Sequence, residues 1–404
     1  MKKHWFKLSL SITHTPVLWR VLGMAIVILS LISVPSGLAR GPQQTVSRSA
    51  AARGAISAAD FSRMIRDFSE EEGTFFSDNY ISNETSYLHV VDKLKQLGAT
   101  GGAYIGVGPE QNFTYIAKIR PQIAFIVDIR RQAIIQHLMY KAIFQLSPTP
   151  AQFLSRLYSR PLKGKDAPGR DATVGQILDY LSQTPTSEEA FAENLALIRK
   201  TIEKDFDVAL SPREQQMLER VLGAFQQANL QISFQFGGGT GGGWYGGGFP
   251  TMKDLIVETD LHGKLGNFLA TQEDYDFVRE LHRKNRIIPV VGDFGGSKAL
   301  ATVAGYLREN GYTLSAFYTS NVEQFLFGDR AFSAFTENVR KMPINDNSVI
   351  IRAFRSASHP AHVPGYRMTT ILEKIPVFLK DFDEGIYTDY RTLITTHFIG
   401  GNEP

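Results

Sequence analysis

The chain has 404 residues, 43 Lys+Arg against 40 Asp+Glu for a formal net charge of +3, 43% hydrophobic residues and no cysteine. That share of apolar residues excludes a mostly disordered chain and is enough for one large or several smaller domains. Zero cysteine excludes disulfides, cysteine-ligated zinc, iron–sulfur clusters and a thiol nucleophile, and the near-neutral charge gives no case for a nucleic-acid partner.

Lys2, Lys3, Lys7 and Arg20 precede an apolar run over residues 21–34. A basic stretch followed by a hydrophobic one predicts a signal peptide or a membrane anchor in residues 1–39, with membrane contact through 21–34 unless it is cleaved. The run is shorter than the roughly 18 to 20 residues of a comfortable span, which also leaves a buried helix open. The basic N-side favours an exported or membrane-anchored body. Residues 40–59, rich in Ser, Ala and Gly, predict a flexible tether.

From residue 60 to 404 the pattern is that of an α/β fold: a doubly wound, Rossmann-like, mostly parallel sheet with a large helical insertion, behind the N-terminal hydrophobic segment. A helix is expected over 84–96, capped by Ser82 or Asn83, with Tyr87, Leu88, Val91 and Leu94 on one face. A β-rich run at 103–107 leads into Gly106-Val107-Gly108-Pro109-Glu110-Gln111-Asn112, then a helix, then a second apolar run closed by Asp128. Strand, glycine turn, helix, strand and acid make a parallel βαβ unit. Residues 130–230 read as a helical insert, with Phe191, Leu195, Ile198, Ile202 and Phe206 on one stripe and a capping box at Ser211–Glu214. Tyr140, Phe144, Phe153 and Tyr158 read as packing.

Residues 237–248 hold nine glycines in twelve positions. They read as a low-complexity surface loop, or as a lid carrying Trp244 and Tyr245. A helix opening at Thr271 precedes a strand at 287–291, which runs into Gly292-Asp293-Phe294, and Ser297 is the expected cap of the next helix. Strands over 313–318 and 348–354 follow, the first ending in Thr319-Ser320-Asn321-Val322-Glu323. His262, His282, His359 and His362 fall on separate elements or in a loop, so no metal site is expected.

Ligands of open parallel sheets sit beyond the carboxyl ends of the strands, which singles out the loop from Gly106 to Asn112, the acid Asp128, and the cluster of Asp293, Ser320, Asn321 and Glu323. Glycines at 106 and 108 let backbone approach a ligand, with Glu110 and Asn112 in the same loop, and an acid twenty residues on can accept hydrogen bonds from a ribose.

On these residues the chain resembles the class I S-adenosylmethionine-dependent methyltransferase fold family, as a bacterial branch, over residues 87–354 with a long helical interruption. The resemblance implies S-adenosylmethionine as cofactor, with Gly106 and Gly108 at its amino-acid end, Asp128 on its ribose and Asp293 as the acid after the third strand. It implies that Tyr318, Asn321 or Asp293 positions or deprotonates a methyl acceptor. The chain departs from the family in having Ala103-Tyr104-Ile105 where an acid usually precedes the first glycine. The competing readings are an exported or anchored non-enzymatic protein that kept the fold without the cofactor, and a nicotinamide-dependent oxidoreductase, against which Gln111 stands where a third glycine belongs.

Overall fold

Five apolar runs, buried almost throughout, align as parallel strands: β1 (Ala103–Gly106), β2 (Ile123–Asp128), β3 (Ile287–Val291), β4 (Leu314–Ser320) and β5 (Val349–Phe354). Burial on both faces is why they read as continuous hydrophobic stretches rather than alternating ones. Two strands beyond the reach of the sequence reading, β6 (Thr369–Lys374) and β7 (Ile399–Gly400), extend the sheet antiparallel beyond β5. The result is a mixed α/β architecture on a seven-stranded, mostly parallel sheet in the order β3-β2-β1-β4-β5-β6-β7. The chain moves outward from β1 to β3 and then returns to the far side of β1 with β4. The carboxyl ends of β1 and β4 therefore open a crevice where the strand order reverses.

The computed structural model describes residues 54–234, 248–328 and 331–402. The expected signal or anchor over 1–39, the tether up to residue 53 and all but the last residue of the glycine-rich segment 237–248 lie outside these residues. Among the described residues no helix is long and apolar enough to cross a membrane. Residues 54–59, expected to belong to the tether, are instead docked. The Ile56 N–H donates to the Lys284 carbonyl at 3.0 Å, Arg286 donates to the Gly54 carbonyl at 2.8 Å, and Ser57 caps α1 (Ala58–Phe68).

On one face of the sheet lie α2 (Val91–Gln96), α3 (Gln111–Ile119) and α4 (Arg131–Leu146). Between β2 and β3 the chain adds α5 (Pro150–Leu157), α6 (Val174–Gln183), α7 (Glu188–Lys200), α8 (Pro212–Ala228) and α9 (Met252–Ile256), and α10 (Gln272–Arg283) then packs back on α3 and α4. The helical interruption is thus longer than the expected 130–230. Ser211 and Glu214 form the expected capping box on α8, with Pro212 in the first turn. The stripe from Phe191 to Phe206 passes through a π turn at Thr201–Asp205, whose wider period keeps Ile202 and Phe206 buried. Tyr140, Phe144, Phe153 and Tyr158 are fully buried in an aromatic core, where the Phe144 and Phe153 rings stand 4.6 Å apart. The opposite face carries α1 and α11 (Ala299–Glu309), followed by α12 (Val322–Gly328), α13 (Phe332–Arg340), α14 (Ile375–Asp383) and α15 (Tyr390–Thr395) toward the β5 edge.

The helix expected over 84–96 starts only at Val91. Ser86 takes φ 68°, a left-handed conformation that interrupts a helix, and this frees residues 82–87 to reach into the crevice.

Candidate functional site

The loop after β1 is folded onto itself. Asn112 Nδ2 donates to the carbonyls of Val107, Gly108 and Pro109 at 2.9, 3.1 and 2.8 Å, while its Oδ1 accepts from the Tyr104 hydroxyl at 2.9 Å. A Cβ at Gly106 would collide with that Oδ1 and with the Tyr104 hydroxyl, so glycine is required here by a protein group. Gly108 has φ 79° with open space around it, and its carbonyl is 2.8 Å from His137 Nε2. A carbonyl can only accept, so His137 carries its proton on Nε2, and burial pushes its pKa down to about 4. Glu110 is buried, with Oε1 accepting the Ser82 N–H at 3.1 Å and Oε2 without a partner, and burial pushes its pKa up to about 7.

Between the ends of β1 and β4 a second carboxyl, Glu84, fills the crevice. Its Oε2 accepts from the Tyr318 hydroxyl at 2.5 Å and from Gln111 Nε2 at 3.1 Å, and its Oε1 accepts from the Ser320 hydroxyl. The Ser82 hydroxyl donates to Gln111 Oε1, closing the network. Burial raises the Glu84 pKa against the pull of these hydrogen bonds. Ser320 reaches Glu84 because the β4–β5 register shifts after Tyr318 and Ser320 takes φ 54°, an uncommon conformation for a residue with a Cβ. Sequence reasoning assigned Glu84 to a helix and missed it. The available signal was a Ser82-Asn83-Glu84-Thr85-Ser86 run, as suited to a turn as to a cap.

Asp128 at the end of β2 is engaged by its own neighbour. Arg130 donates through its N–H and Nε to Oδ1, both at 3.0 Å, and through Nη2 to Oδ2 at 2.8 Å. Burial would raise the Asp128 pKa, but the Arg130 charge and these hydrogen bonds outweigh it and hold the carboxyl below its ordinary value. Arg130 Nη1 also donates to the Ser77 and Asp78 carbonyls at 3.1 and 2.6 Å. Asp128→Asn is expected to cost about 2 kcal/mol at neutral pH, the usual range for a hydrogen bond to a charged group. A depressed folded pKa contributes stability above the unfolded pKa that is lost as pH falls through the folded one. The gap between variant and wild type should therefore close in acid, and parallel urea-unfolding curves from neutral to acid pH would contradict it.

Asp293 follows β3 half-buried, its Oδ1 accepting the Gly295 N–H at 2.8 Å in a tight turn. The expected cap of α11, Ser297, is exposed and does not serve. Glu70 Oε1 accepts the Lys298 and Ala299 N–H groups instead, at 3.2 and 2.5 Å. Residues 70–84 thus form a strap over the carboxyl ends of four parallel strands: Glu70 at β3, the Ser77 and Asp78 carbonyls at β2, Ser82 and Glu84 at β1 and β4.

The three residues expected to act on an acceptor are not brought together. Tyr318 is buried on Glu84, Asp293 holds its turn, and Asn321 faces a cavity of about 790 Å³ beyond β4 and β5. Glu323 turns inward, accepting from Arg352 at 2.7 and 3.0 Å.

No curated protein matches the chain. Residues 80–397, most of the chain, match the family described as Domain of unknown function (DUF7790), and the chain belongs to that family.

Proposed function

We propose that this chain is a non-enzymatic protein on a doubly wound, Rossmann-like frame whose nucleoside crevice is occupied by its own residues. The observation that carries this reading is Arg130 filling both oxygens of Asp128, the acid that would otherwise meet a ribose. Glu70 on the start of α11 and Glu84 between β1 and β4 support it, because each puts a protein carboxylate where a bound nucleoside would need space or donors. A secretory or anchoring N-terminus suits the same reading, since nucleoside cofactors are made in the cytoplasm.

A second reading, S-adenosylmethionine-dependent methyl transfer, is favoured by one observation: Asp128 is held ionised at the end of the second strand. It requires Arg130 to release that carboxylate and the strap to move. The full chain, purified and then denatured, is expected to release no nucleoside detectable by mass spectrometry. Its melting temperature should be unchanged by S-adenosylmethionine. A co-purifying nucleoside at near-stoichiometric yield, or a concentration-dependent rise in melting temperature, would overturn the first reading in favour of the second.

A further inference from the structure

We propose that the cavity beyond β4 and β5 binds the phosphate group of a small organic phosphate. Its lining brings three guanidinium groups, Arg355, Arg367 and Arg391, into one concave space with no Asp or Glu among the lining residues. The acids closest to it in sequence are used elsewhere. Glu323 and Glu84 are buried on Arg352 and Tyr318, and the Asp389 carboxylate accepts the Thr392 N–H at 2.8 Å as the cap of α15. Neither Arg355 nor Arg391 has a carboxylate partner among the described residues, and both are exposed residues of the cavity lining.

Arg367 lies 4.0 Å above the Phe249 ring in a cation–π contact. Burial and the nearby Arg355 charge both lower the Arg367 pKa. Like charges gathered in one cavity repel, and a dianion placed among them relieves that repulsion while accepting paired N–H bonds from planar forks. The amides of Asn83 and Asn321 offer neutral donors, and Phe354, Met368 and Ile394 give the cavity an apolar wall for the body of the ligand. A volume of about 790 Å³ is that of a small-molecule site. The proposal does not depend on the state of the crevice, because the cavity lies on the other side of β4 from the Asp128 position.

The test is calorimetric titration of the full chain at low ionic strength with phenyl phosphate, inorganic phosphate and benzylamine. Phenyl phosphate is expected to bind saturably and more tightly than inorganic phosphate. Arg355→Gln with Arg391→Gln should weaken it by about tenfold or more, with the urea-unfolding midpoint little changed because both side chains are exposed. Absence of saturable binding by both phosphates, binding by the double variant as tight as wild type, or benzylamine binding as tightly as phenyl phosphate would each overturn the proposal.

Discussion

Arg352→Met is expected to destabilise the chain by about 3–5 kcal/mol, the cost of removing one partner from a buried ion cluster. Arg352 lies in the middle of β5 with no exposed surface. It donates to both oxygens of Glu323 at 2.7 and 3.0 Å and to Glu373, and neither carboxylate side chain has exposed surface. The Tyr387 hydroxyl donates to Glu373 and lies 3.2 Å from Asp381. Burial raises the Glu373 pKa even beside the guanidinium, whose own pKa is pushed further up by its two acids. Without Arg352 no cation offsets the burial of Glu373, whose carboxyl then takes up a proton in the folded state. The loss should then be larger at pH 8 than at pH 5.5, because a raised carboxyl pKa removes stability as pH rises through it. Urea unfolding at both pH values checks this, and a variant within about 1 kcal/mol of wild type at pH 8 would contradict it. Replacing Glu323, Arg352 and Glu373 together by apolar residues of similar volume should recover most of the loss, since it leaves no orphaned charge.

Glu110→Gln should change the pH dependence of stability by a comparable amount in the opposite direction. Folded Glu110 holds its proton up to about pH 7, whereas the ordinary glutamate value is 4.5. Between these values the folded chain binds more protons than the unfolded chain, so stability falls as pH rises. Glutamine keeps the acceptor for the Ser82 N–H at 3.1 Å and cannot ionise. The variant should match wild type near pH 4 and exceed it by about 3 kcal/mol at pH 8, at 1.36 kcal/mol per pKa unit. Urea-unfolding curves measured across that range test it. A constant difference between the two proteins would mean that Glu110 is not the group responsible.

The parallel strands were legible because burial on both faces leaves an uninterrupted apolar signature, and β1, β2, β3 and β5 fall within a residue of their expected places. The capping box of α8 was legible because its chemistry is local. What the sequence could not disclose are contacts closed across long stretches of chain. Glu70 caps α11 from 229 residues away, displacing the local candidate Ser297. Glu84 meets Ser320 and Tyr318 across more than 230 residues. Asp128 was found as the acid ending β2, but its partner Arg130, two residues on, read only as the start of the next helix. Arg352 gave a usable signal: a lone charge inside Val-Ile-Ile-Arg-Ala-Phe on a doubly buried strand demands buried acids, and Glu323 was visible at the tip of the neighbouring strand. Placing Glu323 among ligand-facing groups instead followed from treating strand ends as open. The antiparallel edge was missed because β7 has only two residues and β6 follows a Pro- and Gly-containing loop.

The closed crevice is tested most directly by isothermal titration of the full chain with S-adenosylhomocysteine, which carries the same ribose and amino-acid ends as S-adenosylmethionine. With Asp128 held by Arg130 and Glu84 held by Tyr318, Gln111 and Ser320, the expected result is no saturable heat at millimolar ligand, about the weakest affinity such a titration resolves. A saturable one-to-one isotherm that disappears in Asp128→Asn would contradict the account, because it would show the acid of β2 accepting a ribose in place of Arg130.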